Sequence, residues 1–65
     1  MRTIKELRKG DWFTLKAIAE PKDNQVWVRG EYDITFKAFE CYCFGDINRT
    51  RYIKGSTLVY TDFTF

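Results

Sequence analysis

Two cysteines one residue apart, Cys41 and Cys43 in the stretch ECYCF, carry the most intrinsic chemistry in this sequence: thiolates serve as metal ligands, redox pairs and nucleophiles. A structural zinc site takes four ligands drawn mainly from Cys and His. The chain has two cysteines and no histidine, so only a site shared between two copies could be completed. A disulfide between the pair is disfavoured, because residues i and i+2 of a strand lie about 6.6 Å apart with parallel side-chain directions. Two thiols on the inward face of a strand, beside Phe39 and acting as small hydrophobes, are the expected arrangement.

Other routes to catalysis are poorly supplied. The commonest general base is absent, and Ser56, the only serine, falls in an expected turn with no base beside it. Asp11, Asp33, Asp46 and Asp62 could form a carboxylate pair in space, yet the first three adjoin glycines or turn-like segments, where local hydrogen bonding explains aspartate. The isolated glycines match neither a phosphate-binding loop nor a dinucleotide fingerprint. A non-enzymatic protein is expected, with no catalytic residue, no cofactor and no metal.

The elements that position these residues read as strands. In WFTLKAI, Trp12 to Ile18, the residues Phe13, Leu15 and Ala17 alternate with polar neighbours. In QVWVRGEY, Gln25 to Tyr32, the residues Val26, Val28 and Tyr32 share one face, and Gln25, Trp27, Arg29 and Glu31 the other. In KAFECYCF, Lys37 to Phe44, the residues Phe39, Cys41 and Cys43 lie opposite Glu40, Tyr42 and Phe44. RTRYI, Arg49 to Ile53, is less clean, since Ile53 shares parity with Arg49 and Arg51 unless a bulge intervenes. In TLVYTDFTF, Thr57 to Phe65, burial of Val59 and Phe63 is favoured, because the other register turns Asp62 inward. Glycine-bearing turns at Lys9-Gly10-Asp11, Phe44-Gly45-Asp46 and Lys54-Gly55-Ser56 separate the runs. EPKDN is expected as a loop and YDITF as the turn between the second and third strands. Thr3 to Gly10 is either one short helical stretch or an extended lead-in.

Short connections suit antiparallel neighbours. The expected fold is therefore all-β: a single domain over residues 1–65, a five-stranded antiparallel meander curled into a partly closed SH3-like barrel. An open sheet backed by a second copy is the other solution. At 65 residues the chain can hide only about 60% of its unfolded surface. Aromatic residues, at 18%, supply the large apolar areas such a domain needs.

Eleven Lys and Arg against nine Asp and Glu leave a net charge of +2, too mild to demand a polyanionic partner and compatible with one. No apolar run is long enough for a signal peptide or a membrane span. The expected location is the cytoplasm, with no membrane partner, where free thiols persist. The segments KELRKGDWFTLK (Lys5 to Lys16), VWVRGEYD (Val26 to Asp33) and KGSTLVYTDFTF (Lys54 to Phe65) resemble short hypothetical single-domain proteins of bacteria and their mobile elements. That resemblance spans nearly the whole chain and implies a single domain; it brings no established activity and assigns no functional residue.

With the cysteines inward, an outer face is expected to gather Trp27, Arg29, Tyr42, Phe44, Arg49 and Arg51, with Lys16 extending its positive track. Aromatic planes and cations together suit single-stranded nucleic acid, where each stacked base contributes about 1–3 kcal/mol. The same residues suit a protein interface, including self-association, since Tyr, Trp and Arg are enriched at binding hot spots. They also suit plain cross-strand packing, worth about 0.2–1 kcal/mol per pair. Glu31, Asp33, Glu40 and Asp46 lie close by in sequence and repel phosphate. The sequence therefore ranks a protein-interaction or accessory module, with an unidentified protein partner or a second copy, just ahead of nucleic-acid binding.

Overall fold

In the computed structural model, which describes residues 1–65, all regular structure is strand apart from two single turns of 3₁₀ helix, Ile4–Glu6 and Asp23–Gln25. Four strands form an antiparallel sheet in sequence order: β2 (Trp12–Phe13), β3 (Trp27–Asp33), β4 (Ala38–Cys43) and β5 (Asp46–Ile53). This sheet is open and not closed into a barrel. A second, two-stranded antiparallel sheet joins β1 (Arg2–Thr3) to β6 (Leu58–Val59) and so ties the two ends of the chain together.

The run Trp12 to Ile18 does not continue as one strand. It pairs with β3 at Trp12 and Phe13 alone, after which Thr14 turns to Tyr60 and exchanges backbone hydrogen bonds of 2.9 and 3.0 Å with it. The Thr14 hydroxyl, in a fully buried residue, donates to the Lys16 carbonyl at 2.6 Å, which satisfies it and bends the chain away from the sheet. The lead-in resolves into β1 and a 3₁₀ turn. There the Thr3 N–H and hydroxyl both donate to the Glu6 carboxylate, at 3.0 and 2.7 Å, closing the turn. These bonds hold the exposed Glu6 carboxyl below its ordinary value.

The core lies between the two sheets. It contains Ile4, Leu7, Phe13, Trp27, Phe39, Cys41, Cys43, Ile53 and Val59, with Leu15 packed at its margin. Cys41 and Cys43 are free thiols with no exposed surface, on the same face as Phe39. Burial pushes the Cys41 thiol up, as expected where the thiolate would lose its hydration. Val59 is fully buried while Leu58 beside it is exposed, which fixes the register of the last strand.

One irregularity sets the faces of β3. Trp27, Val28 and Arg29 lie opposite Cys43, Tyr42 and Cys41, but Tyr32 and Asp33 lie opposite Phe39 and Ala38, so one extra residue of β3 is accommodated between Arg29 and Tyr32. Gly30 makes this possible. A Cβ there would stand 2.3 Å from the Glu40 carbonyl oxygen, so only glycine permits the two backbones to approach this closely. Alternation carried unbroken through Gly30 puts Tyr32 with Val26 and Val28. The bulge reverses its parity, and Tyr32 instead meets Phe39 edge-on at 5.0 Å and is half exposed.

Candidate functional site

The register sorts the sheet into two faces. On the inner side, Phe13 lies opposite Trp27 and Trp27 opposite Cys43; Arg29 and Arg51 lie opposite Cys41 from either side; Phe39 lies opposite Ile53. The outer side carries the row Trp12, Val28, Tyr42 and Thr50, followed by Glu40 and Tyr52. The expectation that Trp27, Arg29, Arg49 and Arg51 share an outer face with Tyr42 and Phe44 is therefore corrected.

Trp27 is 4% exposed and belongs to the core. Both it and Val28 are buried, because the start of β3 is covered on both faces: Trp27 by the core and Val28 by the flanking Trp12 and Tyr42. Arg51 and Ile53 do share a face, with no bulge between them. β5 is an edge strand, and its inward-facing side chains overhang the core until Ile53 enters it. The bulge in this strand lies earlier, where Cys43 pairs with Asp46 but Tyr42 pairs with Thr50, leaving Ile47, Asn48 and Arg49 looped out.

The three arginines lean on aromatic rings of the core. The guanidinium carbons of Arg49 and Arg51 stand 5.5 and 5.6 Å from the centre of the Trp27 ring, and that of Arg29 stands 4.0 Å over Phe39. Each such contact contributes about 0.5–1 kcal/mol at an exposed site. The Arg29 Nε is buried with no hydrogen-bond partner, and the Phe39 ring face beneath the guanidinium offsets part of that cost. No arginine is ion-paired. The two salt bridges join the N-terminal amine to Asp62 and Lys9 to Glu31. The second holds the exposed Glu31 carboxyl below its ordinary value.

Beside Trp27 the chain leaves a cleft of ≈ 170 Å³ lined by Leu15, Lys16, Ile18, Gln25 and Trp27. Lys16, expected on an outer strand face, is a wall of this cleft, because β2 ends before reaching it.

The outer face is aromatic. Phe44 keeps its expected place there, in a three-ring cluster with Trp12 and Phe65, whose centroids are 4.9–5.3 Å apart at steep angles. The C-terminal segment is brought to this cluster by a 2.9 Å bond from the Thr64 N–H to the Ala19 carbonyl. At the other end Phe36 stacks on Tyr52 at 4.5 Å, and the Tyr52 hydroxyl donates to Glu40 at 3.1 Å, which raises the tyrosine above its ordinary value. Tyr42, half-buried, lies on the same face of β4 between Glu40 and Phe44. Trp12, Phe36, Phe44, Tyr52 and Phe65 are each 41–60% exposed.

Of the six surface residues expected from sequence, Tyr42 and Phe44 thus fall on the outer side. Trp27, Arg29 and Arg51 fall on the inner side, and Arg49 in the bulge leans over Trp27. Trp12, Phe36, Tyr52 and Phe65 were not among the expected residues. Strand parity already puts Trp12 opposite Phe13 and Tyr52 opposite Ile53, whereas nothing local marks Phe36 or Phe65, which reach the face from a turn and from the chain end.

No group of three or more His, Cys, Asp or Glu side chains is placed to hold a metal ion, and no helix is long and apolar enough to cross a membrane. Compared with models of protein families, with curated proteins and with solved structures, the chain matches none.

Proposed function

We propose that the chain is a non-enzymatic protein-interaction module that meets its partner through the outer face of the four-stranded sheet. The observation that carries this reading is the segregation of the side chains. Five half-exposed aromatic rings lie on that face, while the three arginines lean over core rings on the other side. Aromatic rings that keep only part of their surface in water gain most from a second apolar surface, and contiguous patches of this kind mark interfaces. A strand of nucleic acid running across the same face would find rings on which to stack, but no arginine over any of them, since the guanidiniums lie over Phe39 and Trp27, and the carboxylate of Glu40 among them. The partner of this face is accordingly a protein, with a second copy as the simplest one to test.

We further infer that the two sheets together make a partly closed, SH3-like barrel. The paired backbone bonds between Thr14 and Tyr60 support this, since they connect the end of β2 to the end of β6.

A photo-crosslinking amino acid at position 36, compared with one at position 5 outside that face, tests the interaction reading in the cell of origin. Protein adducts are expected from position 36 and not from position 5. Sedimentation equilibrium of the purified chain then tells self-association from a foreign partner, and the complex should hold as salt rises. Equal labelling at both positions would count against the outer face.

A further inference from the structure

On the other side of the sheet, we propose that the cleft beside Trp27 binds one nucleotide unit, its base between Leu15, Ile18 and the edge of Trp27 and its phosphate against Arg49, Arg51 and Lys16. This site shares no residue with the aromatic outer face and stands or falls independently of it.

Three observations converge on this chemistry. First, the cleft holds ≈ 170 Å³, below the roughly 300–1,000 Å³ of sites that enclose a drug-sized ligand. It therefore takes a single ring-sized group and leaves the rest of the ligand outside. Second, its walls are apolar except for Gln25 and Lys16. The Gln25 amide oxygen accepts from the Lys22 N–H at 2.9 Å, which leaves the amide nitrogen as a donor to the edge of a nucleobase. Third, Lys16 is a wall of the cleft, and the guanidiniums of Arg49 and Arg51 stand 5.5 and 5.6 Å from the centre of the ring of Trp27, another of its walls; none of the three is in a salt bridge. The nearest acidic neighbour on β5, Asp46, has a carboxylate oxygen accepting from the Asn48 N–H at 3.1 Å.

Two guanidiniums and an ammonium suit a phosphate, which carries more charge and more acceptor oxygens than a carboxylate and can accept from several donors at once. Trp27, only 4% exposed, serves as a wall and not as a stacking platform, so the base makes an edge contact with it. The nucleotide could be free or one residue of a single strand.

The test uses the whole chain carrying Trp12→Phe, which leaves Trp27 as the only tryptophan reporter. Its emission is followed at low salt during titration with AMP, with inorganic phosphate and with an oligothymidylate of about ten residues. A saturable change with AMP is expected, with phosphate binding more weakly. Affinity should fall at least about tenfold in Arg49→Gln/Arg51→Gln, as charge-assisted contacts are removed. These side chains lie on an exposed edge strand, and an unchanged thermal melt checks the fold. Should the double variant unfold, Lys16→Gln supplies the same comparison. Binding of the oligomer much tighter than AMP identifies a single strand as the source, and equal binding a free nucleotide. Unaltered emission with both AMP and oligomer, full affinity in the arginine and lysine variants, or phosphate binding as tightly as AMP would each overturn the proposal.

Discussion

Gly30→Ala isolates the contact that sets the two faces of the sheet. The glycine does not need a left-handed backbone, since the only positive-φ residues are Gly10 and Lys37. Any penalty is therefore steric. An added Cβ would lie 2.3 Å from the Glu40 carbonyl oxygen, about 1 Å inside ordinary contact. Because the obstacle is backbone on the central strand β4, rather than the end of a movable side chain, the cost belongs near the upper end of the range for overpacking, about 3 kcal/mol. Alanine also narrows the unfolded ensemble, which returns about 0.4–1 kcal/mol. The net loss is about 2 kcal/mol, or roughly 10 °C in Tm for a domain of this size. Urea titration should show the midpoint lowered with the slope unchanged. Gly55→Ala is the control. Its Cβ would meet Lys5 Cβ and Phe39 Cε2 at 3.3 Å, a mild crowding of side chains that should cost under about 1 kcal/mol. A Gly30→Ala protein that melts within about 3 °C of the parent would refute the steric account of the bulge.

Adjacent substitutions on β6 should separate sharply in urea: Val59→Ala, in the core, loses about 2 kcal/mol, and the exposed Leu58→Ala stays within about 0.5 kcal/mol of the parent. Both thiols should resist a soluble disulfide reagent at pH 8 until the chain is unfolded, and rapid labelling of the native protein would contradict their burial. Because burial raises the Cys41 thiol above its ordinary value of 9.0, the folded chain keeps this proton to higher pH than the unfolded chain does. The unfolded state then binds fewer protons above about pH 9, so stability falls as pH rises through that point, which urea titrations between pH 8 and pH 10 will register.

Local alternation made part of this architecture legible. Phe39, Cys41 and Cys43 obey a period of two within one uninterrupted strand, and they are buried together. On the last strand Val59 is buried and Asp62 stays outside, as the register argument required, but the strand ends at Val59, and Phe63, expected inside with it, is only half-buried. The grouping of Tyr32 with Val28, on the face opposite Trp27, failed for a different physical reason. A glycine within a strand pattern is a signal of a bulge, and at Gly30 that signal outweighs the alternation around it. The arginines of β5 failed because parity does not say how far the core extends. Arg51 and Ile53 face the same way, but only Ile53 lies above apolar cover. The early end of β2 depends on the pairing of Thr14 with Tyr60, a partner 46 residues away that no local window contains.

The small sheet formed by β1 and β6 also sets the order in which the molecule can assemble. The hairpins β3–β4 and β4–β5 close over short turns, whereas joining Arg2 to Val59 must draw nearly the whole chain into a loop before any contact repays the lost entropy. The meander forms first, and the two ends fasten across its apolar face last, bringing Ile4 and Val59 onto the cysteines. With only two residues in each strand, this clasp is also the first part of the protein to open, and its opening is what gives water a path to the core.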